Sequence, residues 1–274
     1  MKKPGSYREV TGLTVSRIRS SEKRLFLLDF DGTLVDIADE VAGAVPSEDI
    51  LILLNRLSGI PGNHLVIITG RSGEAIEHLF GKMNIDIVAE HGAIIRESGF
   101  WKNLSDGDTS WKEKIIPIIG KVTSHLPGSM IENKQFSVAW HYRKAGKRDG
   151  MNASKVLTEE LCDLVKSLDL ILIHGKKVIE IMSNKINKGL AATYLINKND
   201  YDFILSIGDD TTDEDMFRSL GEIQNTYTVR IGSSNTQAKF TVNNLRQVKK
   251  LLVRLVEVCE ESIVNQKKTI THEN

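Results

Sequence analysis

A chain of 274 residues is long enough for one large domain or two modest ones with an ample core. Its 36 basic residues balance 36 acidic ones, so no overall field favours nucleic acid or an anionic membrane surface, and any anion site must be local. The two cysteines, Cys162 and Cys259, lie far apart in predicted helices, the N-terminus lacks an apolar signal region, and no run is long enough to span a bilayer. Together these predict a cytoplasmic protein without a disulfide.

Residues 1–23 are polar, with Pro4, Gly5 and several serines, and read as a leader or linker. Next comes LLDFDGTLV, Leu27 to Val35, whose apolar start is that of a parallel strand buried on both faces. Residues i and i+2 of a strand project to one side, so Asp29 and Asp31 can face one site at a carboxyl end, where such sheets bind ligands. Gly32 allows a sharp turn there. Two carboxylates so placed repel each other unless a cation lies between them, and hard oxygen donors suit Mg²⁺. An Asx turn closing a strand is the plainer alternative. A helix then opens at Ser47-Glu48-Asp49 and closes at Gly59. HLVIITG is a second buried strand ending at Thr69, Ser72 caps a following helix, and IDIVAE is a third strand ending at Glu90-His91-Gly92. Strand and helix in alternation predict an α/β fold, a doubly wound parallel sheet of Rossmann type.

From about Ile94 the rhythm changes to shorter segments, with a helix from Trp111 to His125 and a hairpin in SMIENKQFSVAWHYR around Lys134-Gln135. A helix from Asp149 to Leu168 and the strands LILIHG and VIEIMS follow. An inserted α+β module over residues 106–180 is expected, within a core domain of residues 24–105 and 181–265 and ahead of a flexible tail over 266–274. After Ile181 the parallel rhythm returns. Asn187-Lys188-Gly189 opens a helix, FILSIGDD is a strand, and DTTDEDMF turns into a helix whose start is crowded with acidic and hydroxyl side chains. Asp209 directly follows the buried run, where an unpaired carboxylate would be costly. Glu214 and Asp215 read as ordinary helix-start acids. Lys188 sits against the positive end of its helix, a poor place for a cation unless an anion or carboxylate compensates it, or unless it is simply solvated. Thr69 is either a cap or a phosphate-oxygen donor.

DFDGTLV, the strand ending in Thr69, Lys188 and GDDTTDE, in that order, resemble the four signatures of haloacid-dehalogenase-type phosphatases. Within that superfamily, Thr69-Gly70-Arg71-Ser72, Glu90-His91-Gly92, IENKQFSVAWHYR and GDDTTDEDMF are similar to trehalose-6-phosphate phosphatases over about Leu25 to Val256. The leader YREVTGLTVSRIRSSEKRL resembles the segment that precedes the phosphatase in proteins fused to a synthase. Ser183 departs from the pattern, because relatives often carry proline there. The resemblance implies a Rossmann-like core, a mobile cap over residues 106–180, Mg²⁺ and an aspartyl-phosphate intermediate. Asp29 would be the nucleophile and Asp31 the acid and base. Asp29, Asp209 and the Asp31 backbone carbonyl would hold Mg²⁺. Lys188 and Thr69 would bind phosphoryl oxygens, and Asp213 would orient Lys188 or metal waters.

Selectivity is then expected from the cap. Glu132 and Lys134 share one face of a strand, as do His141 and Arg143, and Arg71 and His91 lie at core strand ends. The substrate implied is trehalose 6-phosphate, with a trehalose-phosphate synthase as a candidate partner. Sucrose phosphate or mannosyl-phosphoglycerate is the alternative substrate, and a catalytically idle regulatory domain is the alternative role. An ion-pumping ATPase does not fit, since its signature carries threonine where this chain has Asp31.

Overall fold

The computed structural model describes residues 3–37, 44–105, 107–232 and 235–272, and the side chains of the last helix as far as Val264. The first two residues of the predicted leader, the predicted module boundary at residue 106 and the last two residues of the predicted tail lie outside the described residues. In chain order the elements are α1 (Tyr7–Ile18), β1 (Arg24–Leu28), α2 (Glu48–Gly59), β2 (Asn63–Ile68), α3 (Gly73–Phe80), β3 (Asp86–Ala89), a short 3₁₀ turn (Glu90–Gly92), β4 (Ile94–Glu97) and β5 (Phe100–Asn103). Then follow α4 (Lys112–His125), β6 (Met130–Asn133), β7 (Ser137–His141), α5 (Lys147–Ser167), β8 (Leu170–Gly175) and β9 (Val178–Ser183). The chain continues through α6 (Lys188–Ile196), β10 (Phe203–Gly208), α7 (Asp213–Leu220), β11 (Thr226–Ile231), β12 (Phe240–Val242) and α8 (Leu245–His272). Two compact units result, Met1–Lys102 with Asn187–Asn274, and Asn103–Ile186.

The first unit is built on a sheet of order β12-β11-β10-β1-β2-β3-β4-β5. From β12 to β3 every pairing is parallel, and β4 returns antiparallel to β3. Every residue of β1 and β10 is buried, and apart from Arg24 and Ser206 they are apolar or glycine, as suits strands covered on both faces. Helix α2 buries Ile50, Leu53, Leu54 and Leu57, the i, i+3, i+4, i+7 stripe of an amphipathic helix. Helix α8 buries Val248, Leu251, Leu252, Leu255, Val256 and Cys259 in the same rhythm. In register, Leu28 of β1 lies beside Ile67 of β2 and Ile207 of β10, so the residues just beyond these strands emerge at one edge.

The segment read as a leader is folded from Gly5 onward. Ser6 and Glu9 form a capping box: Glu9 Oε2 accepts the Ser6 N–H at 2.6 Å and the Ser6 hydroxyl accepts the Glu9 N–H at 3.4 Å. Val10, Thr14 and Ile18 of α1 are buried. Gly5 also pairs with the sheet margin, donating to the Lys239 carbonyl and accepting from the Thr241 N–H, both at 2.8 Å. At the other end α8 runs to His272, past the expected tail boundary, because a helix already packed through Cys259 extends by one backbone hydrogen bond per added residue.

In the second unit the antiparallel order β6-β7-β9-β8 presents one face to α4 and α5. Val138 and Trp140 of β7 and Ile179 and Ile181 of β9 pack there with Ile115, Ile119, Leu157 and Leu161. The alternate residues of those strands face the other way. The unit ends at Ile186 and not at residue 180, because β9 pairs with β7 from Val178 through Met182 and cannot be divided mid-ladder.

Candidate active site

Four polar side chains converge at the carboxyl edge of the first unit's sheet. Asp29 follows β1, is 5% exposed, and is fixed by its own N–H donating to the Ile207 carbonyl at 3.0 Å. Lys188 opens α6 and is buried, with Nζ 2.6 Å from Asp29 Oδ1 and 2.7 Å from Asp213 Oδ1. The cation that the helix dipole disfavours is thus compensated by two carboxylates. Asp213 Oδ2 accepts the N–H groups of Asp209 and Asp210, each at 2.9 Å, so both its oxygens are engaged. Asp213 therefore acts as a brace for Lys188 and for the loop that carries Asp209.

Carboxylate oxygens of Asp29, Asp209 and Asp213 lie within 4.8 Å of one another. Burial raises the Asp29 pKa well above the usual carboxylate range, against the pull of Lys188, and the charges of Asp213 and Asp209 add to the rise. Burial first, then Asp213 and Asp210, push Asp209 up to about 6. For Lys188, burial works against the charge, but Asp213 and Asp29 outweigh it and the pKa is raised. Asp29 Oδ2 and Asp209 Oδ1 are buried and have no hydrogen-bond partner among the described residues. Two free, hard, anionic oxygens in an acid-rich site fit a divalent cation such as Mg²⁺. Gly32 makes the approach possible: its φ is +86°, and a Cβ there would fall 2.2 Å from Asp209 Oδ2.

Asp31 lies in the turn beyond β1, bridged to Val35, and is clamped by Arg71. Arg71 Nε and Nη2 donate to the two Asp31 oxygens at 2.8 and 2.7 Å, Nη2 also donates to the Ala44 carbonyl at 3.0 Å, and the guanidinium stacks 4.7 Å above the Phe30 ring. Arg71 was expected to meet sugar or phosphate, and its guanidinium pairs with Asp31 in this structure. Such a bidentate pair orients the carboxylate and leaves a second lone pair on each oxygen. Thr69, just past β2 and buried, accepts the Arg71 N–H at 3.2 Å on its hydroxyl, whose proton stays available for donation. Glu90, His91 and Gly92 all have positive φ, 47°, 57° and 111°. Two non-glycine residues in that region carry strain of the order of 1–3 kcal/mol each, which tends to collect at functional sites. The His91 N–H donates to the Thr69 carbonyl at 3.0 Å, and its ring packs where Gly70 lacks a side chain.

In the second unit, the sheet face turned away from α4 and α5 carries a polar cluster. Glu132 of β6 lies opposite Ala139 of β7, which lies opposite Glu180 of β9. His141 Nε2 is 2.7 Å from Glu132 Oε2, and Glu180 Oε1 accepts from Lys134 Nζ at 2.8 Å and the Ser137 hydroxyl at 2.5 Å. Burial opposes the Glu132 charge, but the His141 contact and the Lys134 charge prevail and its pKa is lowered. Glu132, Lys134 and His141 share this face as expected. Arg143 falls in the turn after β7, where its Nε donates to the Lys176 carbonyl at 3.0 Å, because the strand ends at His141. Glu180 was missed in the sequence. Its alternation with Ile179 and Ile181 in VIEIMS signals a polar face, but nothing local says that Lys134 lies across the sheet.

A mostly parallel sheet with acids at the ends of two adjacent strands, a buried lysine between them and an inserted α+β unit defines the haloacid-dehalogenase-like class. The trehalose-phosphatase family model matches residues 27–250. A bifunctional trehalose-6-phosphate synthase/phosphatase of Thermoproteus tenax is 36% identical over 248 residues, covering 89% of this chain and 34% of the relative. The trehalose-phosphatase of Zygosaccharomyces rouxii is 34% identical over 230 residues, covering 75% of this chain and 26% of the relative. The C-terminal domain of the C. albicans trehalose-6-phosphate phosphatase superposes with a TM-score of 0.86 at 33% identity, over 93% of this chain and 98% of that one. The chain belongs to the trehalose-phosphatase family. It spans about a third of the T. tenax relative and about a quarter of the Z. rouxii one.

Proposed function

We propose that this chain is a phosphoric monoester hydrolase that converts trehalose 6-phosphate to trehalose and phosphate, the last step of trehalose biosynthesis, with Mg²⁺ as cofactor. The observation that carries the reading is the buried group of Asp29, Lys188 and Asp213, with free oxygens on Asp29 and Asp209. An idle regulatory domain has no use for three acids held together at this energetic cost. Asp29 attacks phosphorus, the bond from phosphorus to the sugar oxygen breaks, and Asp31 gives its proton to the departing alkoxide. Asp31 then takes a proton from water, which attacks the phosphorus of the aspartyl-phosphate and releases phosphate, restoring Asp29. Lys188 and Thr69 bind phosphoryl oxygens, and Lys188 also offsets the repulsion between Asp29 and the incoming phosphate. Asp29, Asp209 and the Asp31 carbonyl would hold Mg²⁺, which neutralises phosphate charge when bound.

Glu132, Lys134, His141 and Glu180 are the donors and acceptors suited to sugar hydroxyls, and His91 and Arg143 are further candidates for substrate contact. Relatives that join synthase and phosphatase make a trehalose-phosphate synthase the natural partner. A cytoplasmic setting suits the free thiols of Cys162 and Cys259, and no helix among the described residues is long and apolar enough to cross a membrane. Phosphate release should be measured from trehalose 6-phosphate, sucrose 6-phosphate, mannosyl-phosphoglycerate and glucose 6-phosphate, with Mg²⁺ and with EDTA. Magnesium-dependent release from trehalose 6-phosphate well above the others is expected. Preference for another phosphosugar would reassign the substrate, and absence of any release would leave the regulatory role.

A further inference from the structure

Arg230 of β11 lies opposite Gly208 of β10, the residue before Asp209, and its side chain is 9% exposed. Nη1 donates to the Asp210 carbonyl at 2.6 Å and to Glu214 Oε1 at 2.8 Å. The other Glu214 oxygen accepts the Gln237 N–H at 2.7 Å, which fixes the carboxylate and through it the guanidinium. Glu214 is therefore more than the helix-start acid that its position in the sequence suggests. Burying a guanidinium is costly, and an apolar side chain of similar volume would stabilise the fold as well or better, so stability alone does not account for this pair.

Its target is informative. The segment from Asp209 to Asp210 is held on its N–H groups by Asp213 and on a carbonyl by Arg230, and it carries the carboxylate with a free buried oxygen. We infer that Arg230 and Glu214 form a positioning pair for the divalent-cation site, locking the Asp209–Asp210 backbone so that the Asp209 carboxylate stays within 4.8 Å of that of Asp29. Without the lock, the negative charges of Asp29, Asp209 and Asp213 would drive the loop outward whenever no cation is bound. The pair thus lowers the reorganisation that cation binding requires, as groups supporting metal ligands do elsewhere. This inference rests on the Mg²⁺ reading proposed above.

The test is calorimetric titration of the full chain with MgCl₂ alone, without substrate, for wild type, Arg230→Met, Arg230→Lys, Glu214→Gln and Arg218→Ala. Arg218 is on the same helix as Glu214, is 64% exposed and pairs with Asp215 at the surface, so it controls for general charge loss. Arg230→Met should raise the Mg²⁺ dissociation constant by about tenfold or more, Glu214→Gln and Arg230→Lys by less, and Arg218→Ala should leave it unchanged. At saturating Mg²⁺ the kcat of Arg230→Met should recover to within about threefold of wild type, since the pair touches no reacting atom. If Arg230→Met does not fold, Glu214→Gln, which keeps size and one hydrogen-bond acceptor, decides the matter. Wild-type Mg²⁺ affinity in the folded Arg230 and Glu214 variants would overturn the inference while leaving the metal site standing. Failure of wild type to bind Mg²⁺ would remove the metal reading and this inference together.

Discussion

Replacing Lys188 by methionine keeps most of the side-chain volume and removes the cation bonded directly to Asp29 and Asp213, at 2.6 and 2.7 Å. Lys188 is 2% exposed, so water cannot take its place, and three acids remain together. Removing one member of a buried ion pair costs about 3–5 kcal/mol, because the surviving charge is left uncompensated. For a protein of this size each kcal/mol lowers Tm by about 2–4 °C, so the metal-free variant should melt about 6–20 °C below wild type. Because the folded pKa of Lys188 is raised, its contribution is at full strength below the unfolded lysine value of about 10.4, so the loss should appear at neutral pH. The assay is thermal unfolding followed by circular dichroism in EDTA, repeated with excess Mg²⁺. Added Mg²⁺ should recover part of the loss, because it supplies positive charge to the same carboxylates. A variant that melts within about 2 °C of wild type in EDTA would refute the view that this cluster is held by its charges.

Three further outcomes follow from the same geometry. The Asp209 pKa of about 6 stands above the unfolded value of about 3.9, so the metal-free fold loses stability as pH rises through that window. The Tm gain on adding Mg²⁺ should therefore be larger near pH ~7.5 than near pH ~5, and a gain independent of pH would contradict the assignment. Asp31→Asn should let aspartyl-phosphate accumulate with p-nitrophenyl phosphate, whose leaving group needs no proton, and acid quench with mass spectrometry should find the phosphate on Asp29. Glu132→Ala should lower kcat/KM for trehalose 6-phosphate by about tenfold, in line with roughly 1–3 kcal/mol for a lost buried polar contact, and leave p-nitrophenyl phosphate hydrolysis nearly unchanged. Equal loss on both substrates would make Glu132 a structural residue.

What could be read in the sequence was whatever lies on one element or at a strand end. Asp29 and Asp31 are two residues apart, and the apolar run before them announces a covered parallel strand whose carboxyl end binds ligands. Lys188 was legible because a cation at a helix start demands a partner, and the structure supplies two. Helix α1 was not legible as folded structure because Thr14 interrupts its buried stripe between Val10 and Ile18, hiding the periodicity, although Ser6 and Glu9 have the spacing of a capping box. Contacts distant in sequence were out of reach. Arg71 pairs with Asp31 across 40 residues and Lys134 with Glu180 across 46, and neither partner's local pattern names the other. Arg230 sits in β11, which lies between β10 and β12 and delivers its side chain to the Asp210 loop, a neighbour that the strand's own sequence does not name.

The central claim is that Asp29 carries the phosphoryl group between sugar and water. Its most direct test is the stereochemical course at phosphorus, using trehalose 6-phosphate made chiral at phosphorus with oxygen isotopes and a thiol or alcohol acceptor competing with water. Two in-line displacements, onto Asp29 and then off it, each invert the centre, so net retention is expected. Net inversion would mean that the acceptor attacks the substrate directly, and Asp29 would then have no covalent role.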